Sequence, residues 1–120
     1  MWHTNLAITY RKLGRYREAI AACQRAITLK PELPEAHNNL CVAYSRMGRH
    51  REAIEECQEA IRLKENYAEA CYNLGLIYLA AGKKSAALEQ HRALKLMDPK
   101  LANDLYHRVF KNSLVNARDK

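Results

Sequence analysis

The sequence predicts an all-α fold, a solenoid of helix–turn–helix units, and three observations carry that prediction. The first is a fixed period of 34 residues: leucine recurs at Leu6, Leu40 and Leu74, tyrosine at Tyr10, Tyr44 and Tyr78, and glycine at Gly14, Gly48 and Gly82. Alanine keeps the period at Ala19, Ala53 and Ala87, asparagine at Asn5, Asn39 and Asn73, and Ala26 and Ala60 are followed by Leu94. A constant period of this size marks a stack of units, none of which can bury its apolar face alone. The second observation is spacing, since between the glycines the apolar residues fall three and four apart, the helical pattern. The third is punctuation, because glycines and prolines stand where one helix must end and the next begin.

The elements follow in order. Residues 2–13 carry Leu6, Ala7, Tyr10 and Leu13 at helical spacing, and Gly14 ends that helix by taking a left-handed conformation cheaply. A second helix, Tyr16 to Leu29, carries Ala19, Ile20, Cys23, Ala26 and Ile27 on one side, and Pro31 and Pro34 break it. The same pair is expected at 35–47 with 51–64, and again at 69–81 with 85–97. Asp98 followed by Pro99 reads as an N-cap with proline in the first turn. It opens a seventh helix, 99–116, with Leu101, Leu105, Val109 and Leu114 on its apolar side and a polar outer face suited to capping the stack. Small residues Ala7, Cys41 and Gly75 are expected to face Ala19, Ala53 and Ala87, which lets paired axes approach to about 8–10 Å.

The chain is one domain of 120 residues, divided into repeats 1–33, 34–67 and 68–101 and the capping helix. It opens inside its first repeat, as expected of a segment of a longer protein. Net charge is +7, from 20 Lys and Arg against 13 Asp and Glu, which biases partners toward acidic surfaces. The excess is uneven: residues 1–33 carry six positive and two negative charges, whereas 34–67 carry five and six. No run approaches the roughly 18 apolar residues of a membrane span, and no secretory leader is recognisable. The four cysteines (Cys23, Cys41, Cys57, Cys71) lie inside the helical pattern rather than in a disulfide framework. Four free thiols and a reducing, cytoplasmic compartment are therefore expected.

On these residues the chain resembles the tetratricopeptide-repeat family. The family's series of Leu, Gly or Ala, Tyr, Gly, Ala, aromatic, Ala and Pro maps onto Leu74, Gly75, Tyr78, Gly82, Ala87, His91, Leu94 and Pro99. In the middle unit it maps onto Leu40, Cys41, Tyr44, Gly48, Ala53, Cys57, Ala60 and Glu65. The resemblance implies a right-handed α-solenoid of three repeats plus a cap. Three departures stand out. The family's frequent Trp is His3, His37 and Cys71, its aromatic on the second helix is Cys23, Cys57 and His91, and its closing Pro is Glu65 in the middle unit, where the helix is expected to run on.

The resemblance also implies a protein-interaction module that holds a peptide or protein segment in a concave groove lined by the first helix of each unit. On that register Thr4, Asn38, Tyr72 and Tyr106 form one row and Ile8, Val42, Leu76 and Phe110 the next. Arg11, Lys12 and Arg46 stand toward the helix ends, and Asn5, Asn39 and Asn73 run alongside. Amide side chains both donate and accept, so such a row can pair with a peptide backbone whatever its sequence. The expected ligand combines an apolar anchor with acidic residues. Some family members grip the C-terminal carboxylate of chaperones through Lys and Asn, then Asn, then Lys and Arg. The matching positions here are Thr4, Ile8, Asn39, Glu69 and Asn73, of which only Asn39 fits, and Glu69 has the wrong sign.

The turns form a second candidate surface. Arg15, Arg17, Arg49, Arg51, Lys83 and Lys84 stack at the same period as a basic edge, which either keeps the protein soluble or docks an acidic partner. Nucleic acid is argued against, because helical-repeat RNA readers place stacking and polar groups in every repeat, whereas the central row here is aliphatic apart from Phe110. An enzyme is not expected: no phosphate loop, metalloprotease motif or nucleophile motif occurs. Nor is a cofactor or metal, since the paired His/Cys positions offer two ligands per unit where zinc takes four. The competing reading is a structural spacer or self-assembly segment whose groove is filled by another copy.

Overall fold

The computed structural model describes residues 14–118, and side chains from 14 to 111. The expected first helix, 2–13, lies outside the described residues. Among those residues all regular structure is helical. The helices are α1 (Tyr16–Leu29), α2 (Pro34–Arg46), α3 (His50–Leu63), α4 (Ala68–Ala80), α5 (Lys84–Met97) and α6 (Pro99–Arg118). The second helix falls where the spacing puts it. The four after it begin and, except at Met97, end one residue earlier than expected, and α6 runs two residues longer.

Local chemistry accounts for the boundaries. Gly48 and Gly82 take φ of 77° and 79°, a region that costs an L side chain. A Cβ at either would meet nothing within 4 Å, so glycine is needed there for conformation and not for space. The left-handed residue lets the next amide reach back: Arg49 N donates to Tyr44 O at 2.9 Å and Lys83 N to Tyr78 O at 2.7 Å, which satisfies carbonyls that each helix end would otherwise orphan. At the start of α6 the expected cap is formed, with Lys100 N and Leu101 N donating to Asp98 Oδ1 at 3.1 and 3.2 Å.

The expected run-on at Glu65 does not occur. Helix α3 stops at Leu63, and Asn66 takes φ 59°, a left-handed residue doing the work that proline does elsewhere. Asparagine tolerates that region better than other side chains, so the missing proline is compensated one residue later.

Packing sets the curvature. Each helix packs on the next in sequence, and in addition α2 packs on α4 and α4 on α6. Helices α1, α3 and α5 make no such contacts with one another. An inner layer whose helices touch, beneath an outer layer whose helices are splayed apart, must bend toward the inner one. The concave face is therefore that of α2, α4 and α6. One core joins Ile20 and Cys23 to Leu40, Tyr44, Leu74 and Ile77, and a second holds Cys71, Ala87, Leu94, Leu105 and Val109. The period extends to the junctions, where Ala26, Leu33 and Ala36 cluster as Ala60, Tyr67 and Ala70 do one unit later.

One core expectation is corrected. Cys41 and Cys57 are not free thiols but form a disulfide between α2 and α3, with Cα atoms 5.4 Å apart, while Cys23 and Cys71 are buried and outside any disulfide. Cys57 lies one helical turn beyond Ala53 on the same face. The small residues at the crossing therefore bring Cys41 against it, a contact that the 16-residue spacing alone does not disclose. The bond removes the argument for a reducing compartment drawn from cysteine spacing. At Gly75 a Cβ would meet Leu105 Cδ2 at 2.6 Å, so the glycine makes room for α6.

Candidate peptide-binding groove

The inner face carries two hollows that adjoin. The first, of about 410 Å³, lies between α2 and α4 and is lined by Val42, Ser45, Arg46, Tyr72, Asn73, Leu76, Ile77 and Arg108. The second, of about 600 Å³, lies between α4 and α6 and is lined by Leu76, Leu79, Ala80, Asp104, His107, Arg108 and Lys111. Leu76 and Arg108 border both, so the two form one trough with an aliphatic floor.

Of the residues expected in the groove, Val42, Arg46, Tyr72, Asn73 and Leu76 are brought together there. Asn38 is not available: it is buried, its Oδ1 accepts from Asn73 Nδ2 at 3.1 Å, and it lies beside the Tyr67 phenol. Burial, together with the charges of Glu69 and Glu35, pushes that phenol up to about 12, so it stays protonated. Asn39 is also buried, and Asn73 is only half-buried, so among the described residues the asparagine row faces the trough at Asn73 alone. Thr4, Asn5, Ile8, Arg11 and Lys12 lie outside the described residues.

Tyr106 and Phe110 turn out of the expected row. The Tyr106 ring stacks on His91 of α5 at 5.1 Å and on Phe110 at 4.4 Å, and Lys84 Nζ stands 5.2 Å over the Phe110 ring. The reason is the rotation of α6. Its buried stripe (Ala102, Leu105, Val109) has two flanks, and the aromatics occupy the one toward α5. The other flank presents Asp104, His107, Arg108 and Lys111 to the trough. Extending the repeat register into the cap hid these four, whereas the apolar stripe of α6 alone would have found them.

The polar wall is internally bonded. Asp104 Oδ2 accepts from the Tyr72 hydroxyl and, at 2.8 Å, from Arg108 Nε. These two bonds hold the Asp104 carboxyl below its ordinary value, and Asp104 raises Arg108 further into its charged range. Burial first, and then the bond to Asp104, keeps the Tyr72 phenol protonated as a donor. Arg46 and Lys111 have no ion-pair partner among the described residues.

The six basic-edge residues are all exposed, and two of them pair with acids of the same turn. Arg15 pairs with Glu18 at 3.3 Å, and Arg49 with Glu52 at 2.6 Å while lying over the Tyr44 ring. The third turn differs, since Ala86 stands where Glu18 and Glu52 would recur and α5 has no acid in its first turn. Among the described residues no three His, Cys, Asp or Glu gather to hold a metal ion, and no helix is long and apolar enough to cross a membrane.

A curved stack of helical hairpins with an open trough on its inner face defines a helical-repeat binding scaffold. Family models described as TPR repeat and tetratricopeptide repeat match residues 9–48, 34–67 and 68–100. The chain belongs to the tetratricopeptide-repeat family. Among curated proteins no sequence matches. Solved structures similar to it include the first repeat domain of human RPAP3, at 22% identity and TM-score 0.86 over 98% of this chain and 94% of that one. The first such domain of Spaghetti (RPAP3), bound to an HSP90 peptide, gives 22% identity and 0.85 over 93% and 90%. Domain TPR2B of yeast Sti1, in complex with an Hsp70 peptide, gives 20% identity and 0.84 over 93% and 99%. At these identities the likeness is one of fold.

Proposed function

We propose that the chain is a single protein-interaction domain that binds an extended peptide or protein segment along the trough between α2, α4 and α6. The observation that carries this reading is that the two adjoining hollows share Leu76 and Arg108, so that an aliphatic floor at Val42, Leu76 and Leu79 lies beside Arg46, Arg108 and Lys111. The floor suits an apolar anchor and the rim suits acids. Asn73, whose amide has further donor and acceptor capacity beyond its bond to Asn38, stands beside the floor to hold a backbone. The relatives of similar fold carry HSP90 and HSP70 peptides. For this chain a different acidic segment is the better ligand, because Glu69 is exposed in the first turn of α4, where the chaperone clamp has a cation. In the cytoplasm the fully buried Cys41–Cys57 bond would be shielded from exchange with soluble thiols.

The experiment is titration of a captured partner against two variants. Leu76→Glu should abolish binding at any salt. Arg46→Glu should slow association and flatten the salt dependence, because exposed charges are screened as the Debye length falls from about 10 Å at 0.1 M to about 3 Å at 1 M. Insensitivity to both, with sensitivity on the outer faces of α1, α3 and α5, would remove the trough from consideration.

A further inference from the structure

We propose that Arg108, pre-set by Asp104 and Tyr72 and facing Arg46 across the same hollow, is a carboxylate-reading subsite that selects an acidic side chain of the bound segment. This rests on the peptide-groove reading and adds where the acid sits and what recognises it.

Three observations carry it. The first is orientation. Arg108 lies on the trough flank of α6, and its Nε is fixed at 2.8 Å on Asp104 Oδ2, which the Tyr72 hydroxyl also bonds. Nε is spent on Asp104 and the guanidinium also lies against the Tyr72 hydroxyl; the remaining N–H donors can meet a carboxylate in the plane of the guanidinium fork. The arginine side chain is 57% exposed, so the fork is held without being covered. The second is charge. Arg46 and Arg108 line one hollow, and Lys111 joins Arg108 in the next. The single acid of that wall, Asp104, is already engaged by Tyr72 and Arg108, which leaves the rim a net cation. The third is placement. The fork stands beside Leu76, the residue common to both hollows, so one segment can seat an apolar side chain on the floor and an acid on the rim. Because the trough continues on both sides of Arg108, a chain can pass through it. The acid read is therefore a side chain within the segment and not a chain terminus.

Tyr72 and Asp104 act here as positioning residues. They set the plane of the fork and need not touch the ligand.

The test uses a panel of short synthetic peptides with one leucine and one glutamate at varied separation, each made with a glutamine twin. Both ends are blocked, and a parallel set has a free C-terminus. Binding is followed by fluorescence anisotropy on the whole chain. For the best blocked pair the glutamate peptide should bind about tenfold tighter than its twin, the size of one charge-assisted contact. Arg108→Ala should erase that preference while leaving the weaker binding of the glutamine peptide in place, and Arg46→Ala should reduce it independently. Arg108→Lys, which keeps charge and loses the fork, should retain only part of it. Tyr72→Phe and Asp104→Asn should lower it with unchanged melting behaviour. Equal binding of the twins, a preference that survives Arg108→Ala, or a preference seen only with free C-termini would overturn the subsite. If in those cases Leu76→Glu still abolishes binding of both twins, the groove stands and the subsite alone falls. If no peptide in the panel binds, both fall.

Discussion

The middle repeat (α2–α3) and the C-terminal unit (α4–α6) are built on one template and closed by opposite means. In the middle repeat the crossing is tied covalently by Cys41–Cys57. One turn away, His37 spans α3 and the preceding loop, with Nδ1 2.7 Å from Glu56 Oε1 and Nε2 3.0 Å from Pro31 O. In the C-terminal unit the equivalents of Cys41, His37 and Cys57 are Gly75, Cys71 and His91, and closure there is by shape. Gly75 admits Leu105, His91 stacks on Tyr106, and Leu94, Leu105 and Val109 are fully buried. Backbone geometry in such repeats is thus set by the periodic leucines, alanines and glycines. The residues that vary between repeats choose the chemistry that locks each crossing.

The largest expected effect lies in the unit closed by shape. Leu105→Ala removes a fully buried side chain and leaves a cavity against Gly75, at a cost of about 2–5 kcal/mol by denaturant titration. A smaller loss would mean that α6 is not integral to the second core. Next comes the middle repeat. Reduction of Cys41–Cys57 releases a loop of 16 residues and should cost about 3 kcal/mol. Thiol counting in denaturant should give two free thiols, and four would erase the contrast between the units.

Gly75→Ala should cost about 1–3 kcal/mol, because the new methyl lands on Leu105. In the double variant with Leu105→Ala the costs should add to less than their sum, since the second change clears the first. Full additivity would show that Gly75 matters for some reason other than the cap.

The smallest effect is one of pH. Burial first, then the neighbouring Lys95 and Arg92, holds the His91 imidazole below its ordinary value. The unfolded chain therefore takes up the proton first as pH falls. Stability contributed by neutral His91 is present above about pH 6.5 and is lost as pH drops toward the folded value. His91→Phe should flatten the change in Tm between pH 7 and pH 5, and an unchanged slope would place the titration elsewhere.

What the sequence determined by itself is whatever repeats. Helix positions, turn glycines, the Asp98 cap and the inner floor residues Val42 and Leu76 were legible, because periodic spacing reports which face of each helix must be buried and one face implies the other. Asn66 was missed because its left-handed turn stands outside the motif that proline fills. What only the tertiary structure decided is whatever depends on two helices meeting without a repeated partner. The Cys41–Cys57 bond arises because the crossing brings Cys41, whose counterparts in the other repeats are Ala7 and Gly75, against Cys57. Asn38 is withdrawn by burial and by its bond to Asn73, which no pattern on its own helix forecasts. The rotation of α6, which sends Tyr106 and Phe110 to α5 and Arg108 to the trough, follows from Leu105 packing into the space above Gly75. A terminal helix has no following unit to fix its register, so its orientation is set by the surface it covers.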